Sequence, residues 1–497
     1  MSGTGSGAIL RRRAAGTLLP GFIGTSAPEW VLQAYAEGLS AICLYGDNMA
    51  SPTQLRELCA RLRQQAPHAL LATDEEGGDV TRLHYLTGSD QPGNAVLGRL
   101  DDTRFTRASA AAIGTELADL GINLSLAPVV DVNSASENPV IGVRSFGDDP
   151  DLVARHTAAW IAGLESAGVA SCSKHFPGHG DTTTDSHLGL PRVTVDAGVL
   201  HRRELVPFAA VVQAGGAAIM TSHIVVEALD PGRPATFSPA ILQQVLRNQL
   251  GFRGVVITDA LDMAGASAGI GIPEAAVRAL IAGADMLCLG SGTTGGLYAA
   301  CLDAIVDAVE SGRLPASRLD DAVARNTRLA SDFPAAPRAA PPAGSPRVRG
   351  TDASPAAAPV GPRLAEAFDV GPDTAAWLRD PAPPVIVQVE SAANMAVGQV
   401  PWGPAAADAV TAESAVAAGS KVAVVARGLH SGHPAYDAAA RLRAAGHPVI
   451  LVDCGWPRAA ADVVTFGASR VVGQALARFL LDGGHPRSAV LPEAGNA

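Results

Sequence analysis

The stretch KHFPGHGDTTTDSH, residues 174–187, carries three histidines, two aspartates and a lysine on a segment broken by two glycines and a proline. Asp185 and His187 are two residues apart, so in an extended segment they face the same side. A carboxylate beside an imidazole fixes its tautomer and raises its pKa, which gives a proton donor able to work near neutral pH. An ordinary surface ion pair is the plainer reading of the same two residues. A metal site is a third, because His175 and His179 are four apart and Asp181, Asp185 and His187 follow. A zinc pair at that spacing normally shares a helix face. Pro177, Gly178 and Gly180 break such a helix, so no metal is expected. A second candidate is Asp259 in VVITDALDM, residues 255–263. It ends an apolar run, where a carboxylate is a nucleophile, a base, a metal ligand or simply the cap of the next helix. One carboxylate and one acid/base group on a common face would suit retaining glycoside hydrolysis, although the second group is usually another carboxylate.

The elements that must hold these residues are eight short apolar runs: 17–24, 39–46, 69–76, 122–131, 169–176, 216–224, 254–261 and 284–291. Helical patterns such as TRASAAAIGTELADLG and DLVARHTAAWIAGLESAG lie between most of them. Near-continuous apolar strands alternating with amphipathic helices imply a parallel sheet covered on both faces. Eight units within about 300 residues imply a (β/α)8 barrel. Asp74, Asp131, Lys174, His175, His223 and Asp259 each sit at the trailing end of a run, the end where barrel enzymes build their sites.

The barrel pattern stops near residue 330. The expected division is an N-terminal tail (1–14), the barrel (15–333), a Pro- and Ala-rich linker (334–362) and a smaller C-terminal α/β sandwich domain with a parallel sheet (363–497). The 497 residues carry a net charge of −11, with no clustered basic face of the kind nucleic acid needs. No run reaches the ~18 apolar residues of a membrane helix. The run after Arg11-Arg12-Arg13 is short and is interrupted by Pro20 and Gly21, which argues against a secretory leader. Six cysteines without a CxxC pair fit a reduced, cytoplasmic setting. GSGTTGG, residues 290–296, fits a dinucleotide fingerprint, but a helical pattern follows where a strand ending in an acid is required, so no cofactor is expected. The NLS triplet at 123–125 is a glycosylation acceptor by pattern, yet it falls inside an apolar run.

Four segments, DEEGGDVTRL, ENPVIGVRSFG, KHFPGHGDTTTDSHLGLP and VVITDALDM, occur in that order. Together they resemble glycoside hydrolase family 3, in particular its β-N-acetylglucosaminidase branch of the peptidoglycan-recycling type. The resemblance covers residues 15–330 or so, and the C-terminal part is more loosely similar to the second domain of some members. It implies Asp259 as the nucleophile of a covalent glycosyl-enzyme, His187 as the acid/base and Asp185 as its partner. It implies contacts to the sugar from Asp74, Arg82, Arg144, Lys174 and His175. His175 can equally be a packed strand residue, and His179 reads as loop structure. The implied partner is a small carbohydrate, an N-acetylglucosaminide, acted on by an exo-hydrolase. A glucosaminide phosphorylase and a silent sugar-binding protein are the other readings of the same residues.

Overall fold

The structure, a computed structural model, describes residues 3–184, 189–335, 363–391, 394–404, 409–411 and 416–484. All eight apolar runs contain a strand. These are β1 (Leu18–Pro20), β2 (Ala41–Leu44), β3 (Leu70–Thr73), β4 (Leu124–Ser125), β5 (Ala170–Phe176), β6 (Ala218–Thr221), β7 (Val255–Ile257) and β8 (Leu287–Gly290). β2 to β7 pair in chain order, each neighbour parallel. A parallel bridge, Ile257 to Met286, leads from β7 towards β8. β8 pairs parallel with β1, Leu18 opposite Leu287, and β1 lies beside β2, so the ring closes.

Alternation explains why the runs read as unbroken apolar sequence. Leu19, Cys43, Leu70, Ala72, Cys172, Met220 and Cys288 fill the barrel interior. Leu18, Ile42, Leu44, Leu71, Ile219, Val256 and Leu287 face the surrounding helices. Both faces are buried, and each large aliphatic side chain so buried contributes about 1.5–3 kcal/mol. Helices follow the strands at Glu29–Glu37, Pro52–Gln65, Thr103–Leu120, Pro150–Ser166, Leu205–Ala214, Ala240–Gln249 (a π-helix), Ile272–Ala282 and Gly295–Glu310. Their ends are written locally. Asp102 caps helix 103–120 by accepting from the amides of Arg104 (2.9 Å) and Phe105 (3.2 Å), and Gly121 at φ 82° ends it.

The segment expected as an N-terminal tail has regular structure. Residues Gly3–Ala15 form a helix. Ala14 and Ala15 are buried and Leu10 packs on the same core, while Arg11 and Arg13 pair with Asp303 (2.5 Å) and Asp320 (2.9 Å). Its glycines and serine hide the helical signal, and the packing of its C-terminal end supplies what propensity lacks.

The second domain is a six-stranded sheet: β9 (Asp369–Val370), β10 (Val385–Gln388), β11 (Ala409–Thr411), β12 (Val422–Ala426), β13 (Val449–Asp453) and β14 (Val463–Val464). Its order is β9-β14-β13-β12-β10-β11, with only the β9–β14 pairing antiparallel. Helix Pro434–Ala444 covers one face and helix Arg470–Leu481 the other. The latter core continues into the barrel domain, because Ala95 and Val96 pack within it beside Leu364, Phe368, Val472 and Leu476. Across the same seam Arg363 pairs with Asp102 (2.6 Å), Arg470 with Asp90 and Arg99 with Asp369.

Candidate active site

The segment after β3 begins with three acids, and each has a separate fate. Asp74 enters the mouth of the barrel. Glu75 turns inward and staples its own loop, accepting from Thr81 Oγ1 (2.8 Å) and from the amides of Arg82 and Leu83 (both 2.9 Å). Glu76 is buried between two cations. It takes both arms of Arg144, Nε at 2.9 Å and Nη2 at 2.7 Å, and the Lys174 ammonium at 2.7 Å. Lys174 Nζ also donates to Asp74 Oδ1 at 2.6 Å. The chain of charges Asp74–Lys174–Glu76–Arg144 is therefore balanced, and Lys174 is only 2% exposed. Burial opposes each charged form. The ion pairs override it, holding Glu76 far below the ordinary carboxylate range and Arg144 and Lys174 above their usual values. Two glycines make the turn that follows Glu76. At Gly78 (φ 64°) a Cβ would lie 2.3 Å from Gly93 Cα.

On β5, Lys174 is followed by His175. The His175 ring is oriented by buried Asp131, whose Oδ2 lies 2.7 Å from Nδ1. Asp131 Oδ1 accepts from the amides of His175 (3.2 Å) and His179 (2.7 Å). Asp131 thus positions its neighbours. His179 is buried and neutral, pushed down to about 4 by burial. Its Nδ1 lies 2.9 Å from Thr182 Oγ1. The loop base is pinned by Asn138, whose Nδ2 donates to the carbonyls of His179 (2.9 Å) and Gly180 (3.1 Å). Asp181 is held by Arg203 at 2.6 Å. Asp185 and His187 lie outside the described residues.

Asp259 stands two residues beyond β7, with Oδ1 accepting from the Ala260 amide at 2.8 Å. His223 is spent on structure: its ring meets Thr236 Oγ1 (2.9 Å) and the Ala260 carbonyl (3.0 Å), which props the segment carrying Asp259. Asp74, Arg82, Arg144, Lys174, His175 and Asp259 line one cavity of about 290 Å³ at the C-terminal ends of the strands. Tyr45, Glu76, His179, Asp262 and Met263 complete it from the barrel side, and Met395 and Ala396 from the second domain. Arg82 reaches that second domain, donating to the carbonyls of Ala396 (2.7 Å) and Val397 (3.3 Å). Of these residues, Glu76 and His179 carried the right chemistry in the sequence. Nothing there singled out Met395 or Ala396. Among the described residues no group of three or more His, Cys, Asp and Glu is arranged to hold a metal ion, and no helix is long and apolar enough to cross a membrane.

The arrangement gathers the carboxylates of Asp74 and Asp259 and the fixed groups of Arg144, Lys174 and His175 around one cavity. Comparison with known proteins gives the family. Residues 25–329 match the model of the glycosyl hydrolase family 3 N terminal domain. The chain is similar to the β-hexosaminidase A of Pseudoalteromonas piscicida, 36% identical over 348 residues, which are 65% of this chain and 57% of that protein. It is 38% identical over 258 residues to the β-hexosaminidase of Neisseria meningitidis serogroup C, covering 50% of this chain and 70% of that one. A solved family 3 β-N-acetylglucosaminidase from Paenibacillus sp. superposes with a TM-score of 0.79 at 29% identity, over 96% of this chain and 97% of that one. The β-N-acetylhexosaminidase of Beutenbergia cavernae (TM-score 0.58, 32% identity) covers 65% of this chain and 98% of its own.

Proposed function

The chain belongs to glycoside hydrolase family 3, and from that premise we propose that it is a retaining exo-β-N-acetylglucosaminidase. The observation that carries this reading is the one cavity that Asp259 lines together with Asp74, Arg144, Lys174 and His175. Asp259 attacks the anomeric carbon, the bond to the aglycone oxygen breaks, and His187 protonates that oxygen while Asp185 holds its tautomer. Water, deprotonated by the same imidazole, then releases the sugar from Asp259. Asp74 accepts hydrogen bonds from sugar hydroxyls. Lys174 and Arg144 add charge-assisted hydrogen bonds, which are about twice as strong as neutral ones. The natural substrates are N-acetylglucosaminides of the muropeptide class.

The test is release of p-nitrophenol from its N-acetyl-β-glucosaminide, with the anomer of the first-formed sugar read by NMR. Retention is expected, and inversion would refute the covalent route. Asp259→Ala should abolish turnover. His187→Ala should slow poor leaving groups far more than activated aryl glycosides, because only the former need protonation. Equal losses would remove His187 from the acid role. A sugar phosphate formed in phosphate buffer would convert the reading to phosphorolysis, and no release at all would leave a sugar-binding protein.

A further inference from the structure

A second cavity, of about 200 Å³, lies in the seam between the domains and shares Arg144 with the proposed sugar cavity. The same two chain segments line both. Val140, Met395 and Ala396 face the sugar cavity. Pro139, Ile141, Asn394 and Val397 face the seam. The wall between them is bonded, with Asn394 Nδ2 donating to the carbonyls of Pro139 (3.3 Å) and Val140 (3.5 Å).

The seam cavity is lined by Arg427, Arg458, His430, Trp456 and one acid, Asp79. The two guanidinium groups hold more donors than the protein uses. Arg458 gives Nη2 to the Asn138 carbonyl, while its Nε is buried without a hydrogen-bond partner among the described residues. A buried donor left so is costly, and an acceptor brought by a ligand relieves it. Arg427 lies over the Trp402 ring at 5.0 Å, and its Nη2 reaches the Ser391 carbonyl at 3.3 Å. Glu137 and Asp453 act on Arg458 through charge from outside the cavity lining, and Asp79 does not neutralise the pair in the ordinary way. Its Oδ1 already accepts from the Ala468 amide at 2.8 Å, and burial pushes its carboxyl up, with Arg427 opposing. Arg144, which also borders this cavity, is matched by Glu76.

We infer that the seam cavity is an oxyanion site, in which Arg427 and Arg458 take a carboxylate or phosphate against the Trp456 wall. The planar fork of guanidinium suits either group. The anion comes from one of two sources: an acidic group on the aglycone of the substrate, or a free anion. The first source rests on the function proposed above, the second does not. Because the wall is shared, filling the seam bears on the shape of the sugar cavity through segments 139–144 and 394–397.

The experiment uses the full chain and has two arms. In the first, inorganic phosphate, acetate and chloride are titrated at matched ionic strength and followed by thermal denaturation. A saturable rise in Tm with phosphate or acetate over chloride is expected. Arg458→Gln or Arg427→Gln should weaken the apparent affinity at least tenfold. Among the described residues Arg427 makes no hydrogen bond across the seam, only a charge interaction with Asp79, so its variant stays informative if Arg458→Gln disturbs domain docking. In the second arm, KM is measured for N-acetylglucosaminides with a carboxylate-bearing and a neutral aglycone. Both variants should raise the acidic-to-neutral KM ratio at least tenfold if the aglycone supplies the anion, and leave the ratio unchanged if a free anion does. A wild type with no anion-selective Tm rise, together with an unchanged ratio, overturns the proposal. So does a rise of equal affinity in both variants. Failure of the glycosidase reading would show instead as no turnover of either substrate, with the first arm intact.

Discussion

At the scale of single residues, Glu76 organises the candidate site without needing to touch a sugar. It is the shared counter-ion of Arg144 and Lys174. Glu76→Gln leaves Lys174 with its ion pair to Asp74, and Arg144 with only the charges of Asp131 and Asp74 nearby. Equilibrium unfolding in urea should show a loss of about 3 kcal/mol, the cost of breaking a buried ion pair from one side. Turnover should fall more than tenfold as Lys174 and Arg144 shift. Glu204 supplies a different test. It is buried near Gly178, and burial pushes its carboxyl up to about 7 from 4.5, with Arg203 opposing. The folded state therefore keeps a proton that the unfolded state releases above its own, lower pKa. That contribution is complete below about pH 4.5 and is lost as pH rises through about 7. His179, pushed down to about 4 by burial, has the opposite sign, its contribution being lost as pH falls from about 6.5 towards 4. Glu204→Gln should flatten the decline in Tm between pH 5 and 7 and leave the acid side unchanged, as scanning calorimetry across that range will show. At this scale the sequence was partly legible. DEEGG announced three acids, but which of them enters the cavity, holds its own loop or pairs with the cations depends on the turn at Gly77 and Gly78, which composition cannot order.

At the scale of elements, the loop leaving β5 is held to the loop leaving β4. Asn138 grips the carbonyls of His179 and Gly180, and a Cβ on Gly180 would sit 1.7 Å from the Val132 carbonyl. Gly180→Ala must push the loop outward. If this loop delivers the acid/base group, a shift of about 1 Å costs on the order of 100-fold in rate. Single-turnover kinetics should show that loss in the chemical step, with substrate affinity changed far less. The eight strands were legible because each is apolar on both faces, which leaves no ambiguity about burial. Their lengths were not. The run 122–131 yields only Leu124–Ser125 as strand, since beyond it the chain keeps to β5 by isolated contacts such as Val130 N to the Lys174 carbonyl at 2.7 Å.

At the scale of the whole molecule, the two domains share a core and a site. Ala95 and Val96 belong to the second domain's apolar cluster, and Met395 and Ala396 to the wall of the candidate-site cavity. Calorimetry of the full chain should therefore give one cooperative unfolding transition. Two well-separated peaks would contradict the shared core. A chain ended after residue 335 should bind substrate at least tenfold more weakly, because Arg82 loses the carbonyls of Ala396 and Val397 and the cavity loses a wall. None of this was legible beforehand. The second sheet declares itself in PVIVQVE and KVAVVARG, but its docking depends on partners more than 300 positions apart, such as Arg82 and Ala396, and short-range periodicity carries no trace of such pairs.

The pairing of Leu18 with Leu287 sets a schedule for the chain as it is made. A ribosome adding about 5–20 residues per second delivers β8 roughly 15–50 seconds after β1. Through that interval the first strand has one bare flank, and the growing sheet an open, sticky rim. Newly made protein should accordingly lean on holding factors in the cell. Refolding from denaturant should give its best yield in dilute solution, where two half-built rims seldom meet.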